Sequence, residues 1–177
     1  MEEAFFVIQH SMSKTSIVLP TRNRLPFLQR AVTSVLTQSD PYWELIVVDD
    51  ASDDGTWDWL LTIGDIRIHP IRLERHSERS TARNIGLTAA TGEFVLFLDD
   101  DDYLLPHALA TLKSALLKKG DAIAAIGARL DVYQSKHARY PHPKRFKELI
   151  IWPELLAGWM PAQGQYIVRT SVIHHIG

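Results

Sequence analysis

The chain has 177 residues, 46% of them hydrophobic and 23% charged, which suits one globular domain with a sizeable core. A formal net charge of −2 argues against general attraction to nucleic acid or an anionic membrane, and the lack of cysteine excludes disulfides, thiol nucleophiles and thiolate metal sites. Met1 to Ser13 lacks the basic start and apolar run of a signal peptide, and no stretch is long enough to span a bilayer, so a cytoplasmic protein is the default.

Thr15-Ser16-Ile17-Val18-Leu19, ended by Pro20, reads as the first strand, and the polar loop Thr21-Arg22-Asn23-Arg24 follows it. Pro26 then opens a helical pattern in which Phe27, Leu28, Ala31, Val32, Val35 and Leu36 recur every three to four residues until Asp40-Pro41 breaks it. Leu45 to Val48 is a second strand running into Asp49-Asp50. The turn formers Ala51 to Thr56 precede a predicted helix from Trp57 to Ile63, whose Trp57 and Trp59 read as core side chains. Ile66 to Ile71 alternates apolar and polar residues, as a weaker third strand or an edge would.

Ser80-Thr81 can cap a helix from Ala82 to about Ala90, closed by Thr91-Gly92. Phe94 to Leu98 is a continuous apolar run, the signature of a strand covered on both faces, and it leads straight into Asp99, Asp100, Asp101 and Asp102. Pro106 opens a further helix ended by Gly120, and Ala122 to Ile126 is another strand. Tyr133 to Lys147 is polar and basic and reads as a long loop. Trp152 to Leu156 suggests a short helix and Gln165 to Val168 a strand, with Trp152 and Trp159 placed where an acceptor could stack. Strands alternating with helices predict an α/β, doubly wound, mostly parallel sheet.

In such a sheet, ligands bind outside the carboxyl ends of the strands, where both acidic clusters fall. A run of four aspartates is costly unless a cation joins it, and Mg²⁺ or Mn²⁺ bridging phosphate oxygens would do so; a solvated acidic turn is the plainer alternative. For Asp49-Asp50 the plainer alternative is an Asx turn, and for Arg83, which with Asn84 sits near a helix N-terminus suited to anions, it is a surface salt bridge. No glycine-rich turn follows the first strand, which excludes a dinucleotide fingerprint and a P-loop, and no aspartate ends that strand as a receiver or phosphatase site requires. None of the eight histidines shows metal-ligand spacing. A metal-assisted site for a nucleotide diphosphate remains.

Ser16 to Asn23, Ala31 to Gln38, Glu44 to Thr56, Ala82 to Leu87 and Phe97 to Pro106, in this order and spacing, resemble the family 2 glycosyltransferases of GT-A fold, closely over Thr15 to Pro106 and as a pattern to about Arg129. The resemblance implies a GT-A-like (Rossmann-like) fold and transfer of a sugar, with inversion, from a nucleotide diphosphate sugar (a UDP-sugar favoured) to a glycan, lipid-linked or other hydroxyl acceptor, using Mn²⁺ or Mg²⁺. It divides the chain into an N-terminal extension at 1–14, a nucleotide-sugar-binding part at 15–130 and the start of an acceptor-side part at 131–177. It places the work in the cytoplasm, at or near the inner face of the membrane.

Carried over residue by residue, Pro20, Thr21 and Asn23 line the nucleotide pocket, and Arg22 stands where relatives carry a stacking aromatic. Asp50, beside Asp49, accepts from the base; Arg83 and Asn84 contact the nucleotide; Asp99 or Asp100 lies near the ribose; and Asp101, paired with Asp99, holds the metal. The acidic pair that supplies the family's general base has no match before Gly177, so the resemblance makes this chain an N-terminal fragment, a truncated chain or a degraded gene product without an identified catalytic base. A non-catalytic nucleotide-sugar-binding module, and less closely a nucleotidyltransferase, are the alternatives.

Overall fold

The computed structural model of the chain describes residues 12–127, 129–133, 136–140 and 166–176. The elements run β1 (Thr15–Thr21), α1 (Leu25–Leu36), β2 (Trp43–Asp49), α2 (Thr56–Leu61), β3 (Ile68–Arg72), α3 (Arg79–Ala89), β4 (Phe94–Phe97) and α4 (Ala108–Lys118). Then follow β5 (Ala124–Ile126), β6 (Arg129–Tyr133), β7 (Lys136–Tyr140), β8 (Tyr166–Arg169) and α5 (Thr170–Ile176). Six strands form one sheet in the order β3-β2-β1-β4-β8-β5, and β6 and β7 form a separate pair. β3, β2, β1 and β4 are parallel, whereas β8 runs antiparallel to both of its neighbours.

The period of two along β1, β2 and β4 sends alternate side chains to opposite faces, and both faces are covered. Ile17, Leu19, Leu45, Val47, Phe94 and Leu96 pack with Leu28, Val32 and Val35 of α1 and Leu109, Leu112 and Leu116 of α4. Val18, Ile46, Val48 and Val95 face the other way, onto Ala82 and Ile85 of α3. There α3 comes in close: a Cβ on Gly86 would lie 2.4 Å from Val18 Cγ1 and 3.2 Å from Val48 Cγ2, so only glycine fits. Trp57 and Trp59 are half-buried against the larger cluster, as expected of core side chains.

Two buried polar residues of α1 and its C-terminal end fix the chain that follows β4. Ser34 Oγ accepts the amide of Leu104 (3.0 Å), while Gln38 donates to the Leu105 carbonyl (2.8 Å) and accepts the Leu109 amide (3.1 Å). The four aspartates therefore lie on a segment clamped at its far end.

Several element bounds differ from the sequence expectation. The third strand starts at Ile68, because Arg67 folds back on Asp65 (2.7 Å) in a turn that leaves Ile66 90% exposed. The helix expected from Ala82 starts at Arg79, with Glu78 as its N-cap and no side-chain capping bond, so Ser80 and Thr81 lie inside its first turn. The helix expected from Pro106 starts at Ala108. Part of the expected Tyr133–Lys147 loop is strand β7, paired antiparallel with β6 through backbone bonds. The Trp152–Leu156 helix, together with Trp152 and Trp159, lies outside the described residues.

Candidate functional site

The register places Thr21 opposite Asp49 and Val18 opposite Phe97, so β1, β2 and β4 end on one edge of the sheet. Along that edge a cleft of about 210 Å³ opens between Pro20, Thr21 and Arg22 on one side and Asp50, His76 and Ala82 on another, with Arg24, Arg79, Asp99 and Asp100 completing it. A larger groove of about 480 Å³, between α1 and residues 103–106, has Arg30 as its one charged lining residue. The chemistry concentrates in the smaller cleft.

Asp50 ends the run of β2 and is 5% exposed. Its amide donates to the Thr21 carbonyl (2.9 Å), tying β2 to β1 past the last paired residues. Its Oδ1 accepts both the amide (2.7 Å) and the hydroxyl (3.0 Å) of Ser77, and its Oδ2 meets His76 Nδ1 at 2.6 Å. Burial alone would push this carboxyl up, but the Ser77 amide, the His76 ring and the Ser77 hydroxyl together hold it below the ordinary aspartate value.

Asp49 is fully buried and shapes the turn without lining the cleft. Its Oδ1 accepts the Ser52 amide (3.1 Å), its Oδ2 faces Arg72 Nε at 3.7 Å, and its carbonyl accepts the amides of Ala51 (3.0 Å) and Leu73 (2.9 Å). This Asx turn holds Ala51 at φ 56°, a conformation that a non-glycine residue adopts only when its surroundings impose it. Asn23, also left-handed at φ 52°, acts as a brace: its amide donates to Ser52 Oγ (3.0 Å) and its Oδ1 accepts the Asp53 amide (2.8 Å).

The acidic run divides by direction. Asp100 turns inward, buried, accepting from Thr21 Oγ1 (2.9 Å) and Arg24 Nη1 (3.2 Å). Burial raises its pKa, and the neighbouring Asp101 adds to the shift, against the opposing pull of Thr21 and Arg24. Arg24 Nη1 also reaches Asp101 Oδ2 at 2.9 Å, and Asp100 is the main reason that this guanidinium is held above its ordinary value. Arg83 Nη2 pairs with Asp99 Oδ1 at 2.5 Å. Asn84 is exposed and does not line the cleft.

Asp99, Asp101 and Asp102 each present a carboxylate oxygen, all within 4.8 Å of one another. Three clustered hard-oxygen donors fit Mg²⁺ or Mn²⁺, which take carboxylates together with water and phosphate oxygens. The structure thus gathers Pro20, Thr21, Arg22, Asp50, Asp99 and Asp100 around one cleft, with Asp101 at its acidic rim, and leaves Asn23, Asp49 and Arg83 as supports behind it. Sequence reasoning passed over Arg24, His76, Ser77 and Arg79, and gave Asp102 no role of its own within the acidic run. Arg24 was signalled by its place in the loop after β1; His76, Ser77 and Arg79 had no local signal, because their roles depend on a loop beyond the edge strand folding back onto Asp50.

A four-stranded parallel half-sheet with acidic strand ends, closed by an antiparallel strand, is the architecture of the GT-A transferases. Residues 1–349 of S. aureus TarS share it, with a TM-score of 0.73 at 24% identity over 92% of this chain and 49% of that one. The chain belongs to the family described as Glycosyl transferase family 2, whose profile matches residues 16–172. TuaG of Bacillus subtilis (strain 168), named for glycosyl transfer in teichuronic acid biosynthesis, is 46% identical over 89 residues, covering 49% of this chain and 35% of TuaG. WfgD of Escherichia coli, named UDP-Glc:alpha-D-GlcNAc-diphosphoundecaprenol beta-1,3-glucosyltransferase, is 37% identical over 103 residues, 58% of this chain and 41% of WfgD. The chain thus spans well under half of either relative's length. No described helix is long and apolar enough to cross a membrane.

Proposed function

We propose that this chain forms the donor-binding part of an inverting, metal-dependent glycosyltransferase that takes a sugar from a nucleotide diphosphate sugar, with a UDP-sugar favoured. The observation that carries the reading is the meeting, at one cleft, of an ionised carboxylate held by two loop residues and a cluster of three carboxylate oxygens. Asp50 accepts a base N–H, and Pro20 and Thr21 form the floor beside it, with the exposed Arg22 guanidinium offering a plane on which a base can stack. Asp100, or Asp99, lies toward the ribose. Arg24 and Arg79 supply positive charge along the path of the diphosphate.

Asp101 and Asp99, with Asp102 in reach, would hold Mn²⁺ or Mg²⁺. The ion's chemistry is to offset negative charge on the departing diphosphate. The chain's own residues bind and orient: the Asn23–Ser52 brace fixes the base side, and Arg83 sets the direction of the Asp99 carboxylate. No described residue is assigned as general base. Residues 15–130 take the donor role and 131–177 the acceptor side, following an N-terminal extension at 1–14, with β8 returning from the second part to pair with β4 and β5. WfgD's named substrates, a UDP-sugar and a diphosphoundecaprenol-linked acceptor, support a UDP donor and a lipid-linked acceptor met at the cytoplasmic membrane face.

Calorimetric titration of the chain with UDP, with and without Mn²⁺, tests this. Binding is expected to require the metal in the wild type and to be lost in Asp101→Ala. Equal affinity with and without Mn²⁺ would remove the metal role, and no UDP binding in either buffer would remove the donor role.

A further inference from the structure

We propose that His76 and Ser77 make this cleft selective for a base that offers one ring N–H, a uracil-type pyrimidine, over guanine with its paired N–H donors. The inference rests on the assignment of Asp50 to the base. An ionised carboxylate has about four lone-pair positions. Around Asp50 three are taken: two on Oδ1, by the Ser77 amide (2.7 Å) and hydroxyl (3.0 Å), and one on Oδ2, by His76 Nδ1 (2.6 Å). One position, on Oδ2, is left for a ligand.

Because Asp50 is held ionised, it only accepts, so Nδ1 is the protonated nitrogen of the His76 ring. Ser77 is not a loose partner. The Leu73 amide donates to the Asp49 carbonyl (2.9 Å) and Arg72 Nη2 to the Ser52 carbonyl (3.0 Å), which pins the start of the loop that carries both residues. The N3–H of uracil or thymine needs a single acceptor and fits the remaining position. Guanine presents N1–H and N2–H side by side and is matched by both oxygens of one carboxylate, so it must displace a Ser77 bond from Oδ1. With Asp50 only 5% exposed, the carboxylate cannot turn to offer a second edge without stranding those donors. Selectivity arises from acceptor positions that the protein has already filled.

The full chain is titrated calorimetrically with UDP, dTDP and GDP in Mn²⁺ buffer, as wild type, Asp50→Asn, the double variant His76→Ala/Ser77→Ala, and His76→Asn. The wild type is expected to bind UDP and dTDP roughly tenfold or more tighter than GDP, the worth of about one hydrogen bond. The double variant, which keeps only the Ser77 amide on Asp50, is expected to bring the UDP-to-GDP ratio to near parity through tighter GDP binding. His76→Asn, which leaves both Ser77 bonds on Oδ1, is expected to hold the wild-type ratio, and parity in that variant would overturn the assignment of selectivity to the filled Oδ1; a thermal melt of each variant verifies folding. An unchanged ratio in the double variant, with UDP binding lost in Asp50→Asn, overturns the selectivity and leaves Asp50 as the base reader. UDP affinity unchanged in Asp50→Asn overturns the base assignment and the selectivity together.

Discussion

Glu44 stands at the end of the sheet opposite the cleft, near the start of β2, and is buried at 4% exposure. Its Oε1 accepts from Ser16 Oγ (2.6 Å), the Thr91 amide (2.7 Å) and Thr91 Oγ1 (2.9 Å), and its Oε2 from Lys14 Nζ (2.8 Å). Burial pushes the carboxyl up, but Lys14, Ser16 and Thr91 outweigh it and bring the value from 4.5 down to about 2. A folded-state pKa below the unfolded one adds stability that is fully present above the unfolded value and is lost as pH falls through the folded one. Here that window runs from about pH 4.5 down to about pH 2. The gap of about 2.5 units corresponds to about 3 kcal/mol at neutral pH, about half of it remaining at pH 3. Glu44→Gln replaces one acceptor oxygen by an NH₂ group that must face either the Lys14 ammonium or the Ser16 and Thr91 donors. Urea denaturation at pH 7 is expected to show the variant less stable by about 3 kcal/mol, a Tm lowered by roughly 6–12 °C for a chain of this size. At pH 3 the two curves should have closed by about half. UDP affinity at pH 7 should be unchanged, because Glu44 lies far from the cleft. A stability gap that stays constant from pH 7 to pH 3 would refute the reasoning, since it would show that the charge of Glu44 contributes nothing.

Gly86→Ala places a methyl 2.4 Å from Val18 Cγ1 and should cost about 1–3 kcal/mol in a thermal melt, with Val18→Ala recovering part of it; strictly additive losses would contradict close packing of α3 on β1. Lys113 is buried against Asp40, with Nζ also donating to the Ser13 carbonyl at 2.6 Å. Lys113→Met strands the Asp40 carboxylate and should cost about 3–5 kcal/mol by urea denaturation, whereas Lys113→Met/Asp40→Leu should recover most of that. A single-variant loss below about 1 kcal/mol would mean that the pair is solvated. Arg24→Ala removes the guanidinium from Asp100 and Asp101 and should strengthen Mn²⁺ binding several-fold, about 1 kcal/mol at surface-like screening, as read by the paramagnetic resonance of free Mn²⁺. Weaker or unchanged binding would show that Arg24 is no counter-charge to the cluster.

What the sequence made legible is what depends on local pattern. β1, β2 and β4 are buried on both faces and read as unbroken apolar runs, and α1 announces itself by Pro26 and the spacing of Leu28, Ala31, Val32 and Val35. The convergence of Asp49-Asp50 with Asp99–Asp102 followed from one rule, that parallel strands end on a common edge. Order within a sheet is not local: the place of β8 between β4 and β5, antiparallel to both, has no signature in Tyr166–Arg169. β6 and β7 lie in a polar stretch that reads as loop, because a two-stranded pair can form through its backbone bonds alone. The start of α3 shows why a capping rule failed. Ser80 and Thr81 are good N-cap types, yet the chain commits Ser77 to Asp50 and turns into the helix at Arg79, before either can cap.

Glu44, Asp50 and the Asp99–Asp101 pair differ in how completely the protein satisfies them, and that difference separates stability from function. Glu44 accepts from four donor groups, two of them the amide and hydroxyl of Thr91, whose hydroxyl reaches both of its oxygens, and nothing is left for a ligand. Asp50, which lines the cleft, receives three, two on Oδ1 and only the His76 contact on Oδ2. Asp99 and Asp101 are met by arginines from other elements, Arg83 and Arg24, through pairs that are 22% to 53% exposed on their side chains. The Arg24–Asp101 pair, the more exposed of the two, contributes little, about 0–1 kcal/mol, so releasing it costs little. The arginines therefore keep four adjacent aspartates tolerable in the free protein while leaving the cluster open to exchange with a cation of higher charge. A stronger buried pair, such as Lys113 with Asp40, would hold the same charges just as well and would block the exchange.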